Sequence, residues 1–227
     1  MEEIQKNYIP AAGHDWALPF YDTMMRWLGG DETRKTLLEG AGLKPGQRIL
    51  DIGCGTGSLA VLVKQLYPES LVVGLDPDPK ALARARRKAE KAVVSIQFDQ
   101  GFSHELPYGD ASFDRVFSTY MLHHLQGAEK ERTLMEVRRV LRPSGVFCLL
   151  DFAGPESGSR SFVARLIHSS RHLEENSEAR ILNLLSQTGF AESGKVDERT
   201  VLFGHIRAKY YQASVPDRPS WNELALR

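Results

Sequence analysis

Three glycines at alternate positions, Gly53, Gly55 and Gly57, with Asp51 ahead of them and a helical pattern behind, are the residues best suited to handling a small ligand. The apolar stretch Arg48-Ile49-Leu50-Asp51-Ile52 reads as a strand that runs straight into the glycines, with Cys54 and Thr56 between them. Glycines at such a turn admit backbone angles closed to other residues, let a ligand lie against bare peptide, and seat the next helix close to the sheet. A second strand, Leu71-Val72-Val73-Gly74-Leu75, ends in Asp76 and Pro77. A carboxylate at that place can accept both ribose hydroxyls of an adenosine. Together these features predict a nucleoside-binding turn.

Two ligand classes use a turn of this kind, dinucleotides and S-adenosylmethionine. The dinucleotide fingerprint needs glycine at 58, where Ser58 stands, and Asp51 would repel a pyrophosphate at close range. A cationic ligand suits it better. The run Asp51-Ile52-Gly53-Cys54-Gly55-Thr56-Gly57 resembles motif I of the class I S-adenosylmethionine-dependent methyltransferases, in which the acidic residue helps place the methionyl ammonium, usually through water. The resemblance extends from about Gly46 to Tyr211. Leu106-Pro107-Tyr108, Ser112-Phe113-Asp114, Met121-Leu122-His123-His124-Leu125 and Arg139-Val140-Leu141-Arg142-Pro143-Ser144-Gly145 follow in that order, which is similar to the branch that includes the ubiquinone and menaquinone C-methyltransferases. The resemblance implies a doubly wound, mostly parallel, seven-stranded Rossmann-like α/β sheet in the order 3-2-1-4-5-7-6, with the last strand antiparallel. It also implies S-adenosylmethionine as cofactor, S-adenosylhomocysteine as product and a small-molecule methyl acceptor. The branch is chemically broad, so the acceptor does not carry over with the fold.

One position departs from the branch. The segment after its third strand usually carries an acidic residue four positions before the Leu-Pro pair, facing the adenine amino group; this chain has Phe102 there. A phenyl ring stacks on adenine but cannot accept its hydrogen bond. Either Asp99 or a backbone carbonyl substitutes, or adenine is held mainly by stacking and by the backbone at Ser103. The expected cofactor contacts are therefore Asp51, Gly53, Cys54, Gly55, Gly57, Asp76, Pro77, Phe102, Ser103, Ser118 and Tyr120.

Ligands of such sheets bind beyond the carboxyl ends of the strands, where the strand order reverses. The fourth strand's end, Ser118-Thr119-Tyr120-Met121, and the following His123-His124 should border the transferable methyl group. Methyl transfer from a sulfonium is an in-line displacement that disperses positive charge. It asks mainly for alignment in a dry pocket, and for a base only where the acceptor loses a proton. His124 is the candidate base, set against a histidine merely satisfied at a helix start. His123, the second candidate, should point elsewhere if the backbone is extended there. Tyr8 to Leu28 holds Trp16, Phe20, Tyr21, Met24, Met25 and Trp27, side chains that need burial. A lid over the site is expected from it, with Tyr21 reaching the methionyl end as tyrosines do in similar enzymes; a helix packed on the sheet's flank is the plainer alternative. The stretch Phe152 to His172 should add a second apolar wall, which points to a hydrophobic or aromatic acceptor. Cys54 reads as a small residue tolerated between glycines rather than a nucleophile. His168 and His172 lie four apart without an HExxH pattern, and no metal is expected.

The elements that must position these residues alternate along the chain. Strands are expected near 47 to 52, 71 to 75, 94 to 98, 113 to 118 and 145 to 151, and helices near 57 to 67, 79 to 92 and 127 to 141. Asp78 and Pro79 mark one helix start. After a Gly/Ser-rich link, helical segments end at Gly189, and strands near 191 to 197 and 200 to 211 should pair as a hairpin. The 227 residues read as a single domain: an N-terminal helical lid (1–40), a catalytic core (41–212) with substrate-side helices at 152–188, and a tail (213–227). Basic and acidic residues balance at 29 each, which disfavours a nucleic-acid substrate. The basic run Arg84, Arg86, Arg87, Lys88 and Lys91 reads as a solvated helix face. No run of about eighteen apolar residues and no secretory signal is visible. A cytoplasmic monomer or homodimer is expected. Two other functions remain open at this point, a non-catalytic S-adenosylmethionine-binding regulator and an NAD-dependent oxidoreductase.

Overall fold

The computed structural model describes residues 29–152, 177–201 and 206–216. Seven strands form one sheet: β1 (Arg48–Ile52), β2 (Leu71–Asp76), β3 (Gln97–Gln100), β4 (Phe113–Thr119), β5 (Leu141–Phe152), β6 (Glu192–Val201) and β7 (Ile206–Ser214). Their order is β3-β2-β1-β4-β5-β7-β6, with β7 antiparallel to both β5 and β6 and the other pairs parallel. This is the order that the resemblance implies. The strand order reverses between β1 and β4, so the carboxyl ends of those two strands open a crevice.

Successive residues of β1 feed opposite faces, as the two-residue period of a strand requires. Ile49 packs with α1 (Gly30–Gly40), α2 (Ser58–Leu66) and α3 (Pro79–Lys91) through Leu37, Leu38, Leu59, Val63, Leu82 and Ala85. Leu50 and Ile52 pack with α4 (Gly127–Val140) and α5 (Glu178–Gln187) through Leu134, Val137, Ile181 and Leu185. With both faces covered, β1 is apolar almost throughout, which is why it is so legible in the sequence. α3 begins as expected: the Asp78 side chain accepts from the Lys80 amide at 2.8 Å and Pro79 occupies the first turn.

Three boundaries differ from expectation. The alternating pattern at 93–98 suggests a strand from 94, yet pairing with β2 begins only at Gln97, opposite Val73. Val93 instead closes α3 with a left-handed φ of 56°, and the Val94 amide returns to the Ala89 carbonyl. β5 begins at Leu141 rather than 145, because Leu141 already pairs with Phe113 ahead of an irregularity in the β4–β5 ladder. β6 and β7 form the expected hairpin, but β6 runs on to Val201 and β7 begins only at Ile206, its partner, and continues to Ser214. Residues 202–205, the aromatic segment 8–28 and all of the expected second wall (152–172) beyond Phe152 lie outside the described residues.

The recurring sequence motifs acquire structural roles in this frame. Asp114 accepts the Arg48 amide at 2.7 Å and the Arg142 guanidinium at 2.8 Å, joining β4 to β1 and β5. Arg139 reaches from α4 to the Leu106 and Tyr108 carbonyls and to Asp110, while Glu136 holds both Arg139 and the Leu106 amide. That cluster fixes the loop between β3 and β4, which carries Phe102 and Ser103.

Candidate active site

A cleft of about 360 Å³ opens over the carboxyl ends of β1, β2 and β4, a volume within the usual range of small-molecule sites, roughly 300–1,000 Å³. Of the residues singled out from sequence, Gly53, Cys54, Gly55, Asp76, Pro77, Phe102, Ser103, Tyr120 and His124 line it. Gly57 caps α2 just behind it, with φ 74°. Asp51 and Ser118 are buried beneath the floor, at 1% and 0% exposure, and are not part of the lining. His123 stands beside the cleft. Tyr21, His168 and His172 lie outside the described residues, among which no group of three or more His, Cys, Asp or Glu could hold a metal.

The glycine turn is required by space as well as by angle. A Cβ at Gly53 would overlap the Met121 side chain, and one at Gly57 would lie 2.8 Å from the Ala85 Cβ of α3. The helix therefore sits close to its neighbour only because residue 57 has no side chain.

Asp76 is oriented before any ligand arrives. Its two oxygens accept the Gly55 amide at 2.8 Å and the Asp78 amide at 2.9 Å. Burial nevertheless pushes its pKa up to about 6, with those two amides opposing the rise. Asp51 is more exposed to that pressure, since neither carboxylate oxygen has a hydrogen-bond partner among the described residues; the Ala60 amide helps only weakly. Burial raises it to about 7, the Arg34 guanidinium opposing and the Asp76 carboxylate adding to the shift. The same burial and the same two carboxylates hold the Cys54 thiol well above the usual thiol range, so it is not a nucleophile at neutral pH.

Arg34 is a site residue that sequence reasoning missed. It is only 6% exposed, lines the cleft from α1 and pairs with Asp31 at 3.2 Å. The available signal was a lone arginine one turn ahead of the buried pair Leu37-Leu38. Gln126 and Glu129 were missed as well; they open α4 at the cleft edge, with the Glu129 carboxylate accepting the Gln126 amide at 3.1 Å, and their capping spacing is readable in the sequence.

At the other end of the cleft, Tyr120 takes a left-handed backbone with φ 54°, rare for a residue with a ring. It is held there by a hydrogen bond from its hydroxyl to Thr33 at 3.0 Å and by stacking on Phe152 at 4.5 Å. Leu122–His124 is a 3-10 turn rather than extended chain, so the two histidine rings stay close, 4.0 Å between centroids, while His124 alone lines the cleft. His123 Nδ1 lies 2.5 Å from Asp151, whose other oxygen accepts the His123 amide at 2.9 Å. Asp151 is 3% exposed and ends β5 beside the end of β4. Asp99, one of the candidates to replace the missing adenine carboxylate, accepts from Tyr108 and Gln97 instead and is not in the lining. Phe102 stacks on His104 at 5.3 Å and presents the cleft with a ring.

Comparison with known proteins gives this geometry a context. A family model described as a methyltransferase domain matches residues 49–145. An uncharacterized methyltransferase of Synechocystis is 37% identical over 57% of this chain and 59% of its own length. A demethylmenaquinone methyltransferase of Thermus thermophilus is 37% identical over 65% of this chain and 68% of its own. The chain thus spans some three fifths to two thirds of the length of these two relatives. Among solved structures, phosphoethanolamine N-methyltransferase 2 of Haemonchus contortus, crystallised with phosphomonomethylethanolamine and S-adenosylhomocysteine, superposes with a TM-score of 0.76 at 19% identity, covering 92% of this chain and 58% of that one.

Proposed function

The chain belongs to the class I S-adenosylmethionine-dependent methyltransferases, and from that premise we propose that it transfers a methyl group to a small hydrophobic or aromatic acceptor whose reacting site carries a proton. The observation that carries the reading is the pair of carboxylates under one glycine turn. Asp76 is aimed into the cleft by two amides, and Asp51 is buried below it with no hydrogen-bond partner among the described residues. A diphosphate would face two buried negative charges there. A nucleoside carrying a cationic sulfur and an ammonium group would relieve them.

The cofactor, when bound, supplies an electrophilic methyl group on a positively charged sulfur. The chain's own residues do the rest. Asp76 would take the ribose hydroxyls, the peptide from Gly53 to Gly55 would meet the nucleoside, and the Phe102 ring would cover the adenine. Arg34 and Asp51 bring opposite charges to the end of the cleft where an amino-acid tail would lie. On the acceptor side, Asp151 accepts a hydrogen bond from His123 Nδ1, which fixes the ring's orientation and leaves Nε2 as the nitrogen that can take a proton from the acceptor. His124, on the cleft wall, orients the acceptor. The likeness to a demethylmenaquinone methyltransferase supports an apolar, quinone-like acceptor, and a proton leaving the methylated atom would be work for a histidine–aspartate pair.

The test has two parts. Calorimetry should show S-adenosylhomocysteine binding and NAD not binding. Incubation with methyl-labelled cofactor and cell extract should yield a labelled apolar product, lost in His123→Ala but with cofactor affinity retained. A second reading, a cofactor-binding protein without turnover, is favoured by one observation, the absence of a carboxylate at Phe102. Binding without labelled product across several extracts would select it.

A further inference from the structure

On the outer side of α1, α2 and α3 lies a second, larger depression of about 730 Å³, and its chemistry is unlike that of the cleft. Arg34, Lys35, Arg84, Arg87, Lys88 and Lys91 line it against a single carboxylate, Asp31. The chain as a whole has no net charge, so this is a concentrated excess on one face. Lys35, Arg87 and Lys91 are exposed and Arg84 half-buried. None of these four has an ion-pair or hydrogen-bond partner among the described residues. A helix face that only kept the protein in solution would have its cations interleaved with acids. Beneath them the lining is apolar, Val61 buried and Leu62 half-buried.

We propose that this face docks the protein on an anionic lipid bilayer. The occupant has to bring several negative charges spread over an area as wide as three helices, with hydrocarbon beside them, and a leaflet of anionic headgroups over acyl chains does both. A single-stranded nucleic acid brings the charge but calls for aromatic platforms, and the lining contains no aromatic residue, while a duplex presents phosphates with no hydrocarbon for Val61 and Leu62. The face also adjoins the nucleoside cleft: Arg34 and Ser58 line both cavities, and Lys88 of α3 donates to Thr56 at 3.1 Å and to Ser58 at 2.7 Å in the glycine turn. A bilayer held by Arg84, Arg87 and Lys91 would therefore lie next to the cleft rather than across the molecule from it.

Co-sedimentation with vesicles tests this on the full chain. Vesicles of phosphatidylcholine containing phosphatidylglycerol should bind the protein, vesicles of phosphatidylcholine alone should not, and the binding should weaken as salt is raised. The triple variant Arg84→Gln, Arg87→Gln, Lys91→Gln should lose binding by roughly 100- to 200-fold, since each cation near an anionic surface contributes roughly a factor of five. Its affinity for S-adenosylhomocysteine should be unchanged, which also serves as the folding control. Should that variant unfold, Lys35→Gln with the wild-type salt series replaces it, with a loss of about fivefold expected. Equal binding to both lipid mixtures, an unaffected variant, or tighter binding to single-stranded RNA than to anionic vesicles with the same residue dependence would each overturn the proposal.

Discussion

The two buried aspartates differ in how their charge is met, and the difference can be measured. Asp76 has two amides, whereas Asp51 has mainly the field of Arg34. A carboxyl whose folded pKa is raised binds its proton more tightly folded than unfolded. Without ligand, Asp51 therefore costs stability progressively as pH rises from about 4 to about 7, and the full cost persists above that. Asp51→Asn removes this dependence. In thermal or denaturant unfolding of the ligand-free protein, the variant should gain on the wild type between pH 5 and pH 8 by on the order of 1 to 4 kcal/mol, at about 1.4 kcal/mol per pKa unit. A constant difference across that range would mean that Asp51 does not titrate there. Asp76→Ala should weaken S-adenosylhomocysteine binding at least tenfold, because a hydrogen bond to a charged acceptor contributes about 1.5–3 kcal/mol; unchanged affinity by calorimetry would remove it from the site. His123 and Asp151 are expected to act as one unit. Asp151→Asn should reverse the preferred tautomer and lower turnover by orders of magnitude, as loss of the orienting carboxylate does in other histidine–aspartate pairs, with cofactor affinity unaffected.

At the level of elements, the cleft depends on two supports that never touch it. One is Gly57, where α2 starts close to α3. Gly57→Ala meets both a positive φ and a 2.8 Å approach to Ala85, and should lower stability by about 1–3 kcal/mol in denaturant unfolding. The other is Arg139, which ties the loop carrying Phe102 and Ser103 to α4 through two carbonyls and the Asp110 carboxylate. Lysine keeps the charge but not the planar fork of donors. Arg139→Lys is expected to weaken nucleoside binding more than it lowers the melting temperature, because the loop loosens while the sheet stays intact. The motif from Arg139 to Gly145 is visible in the sequence as a recurring string. Its physical meaning, a clamp at one end and the Arg142 to Asp114 pair at the other, becomes visible only once β4 and β5 lie side by side.

Across the whole molecule, what was legible from sequence was local. The β1 strand, the glycine turn, Asp76 at the end of β2 and the Asp78 cap each depend on residues a few positions apart, and the structure places all of them as read. Arg34 was not legible, because its burial depends on a cleft whose other walls come from β1, β2 and β4. The pairing of His123 with Asp151 depends on two neighbouring strand ends that sequence alone leaves unconnected. The start of β3 was misread because the alternation at 93–98 begins inside the turn that closes α3, ahead of the first residue that pairs with β2. No helix among the described residues is long and apolar enough to cross a membrane. The lone carboxyl sealed beneath the glycines has one more effect. With a pKa of about 7, it is partly protonated in a neutral solution, and a cationic guest arriving above it must drive that proton off. Filling the cleft should then acidify an unbuffered sample, and the heat of binding should vary with the ionisation enthalpy of the chosen buffer in the wild type and stay constant in Asp51→Asn.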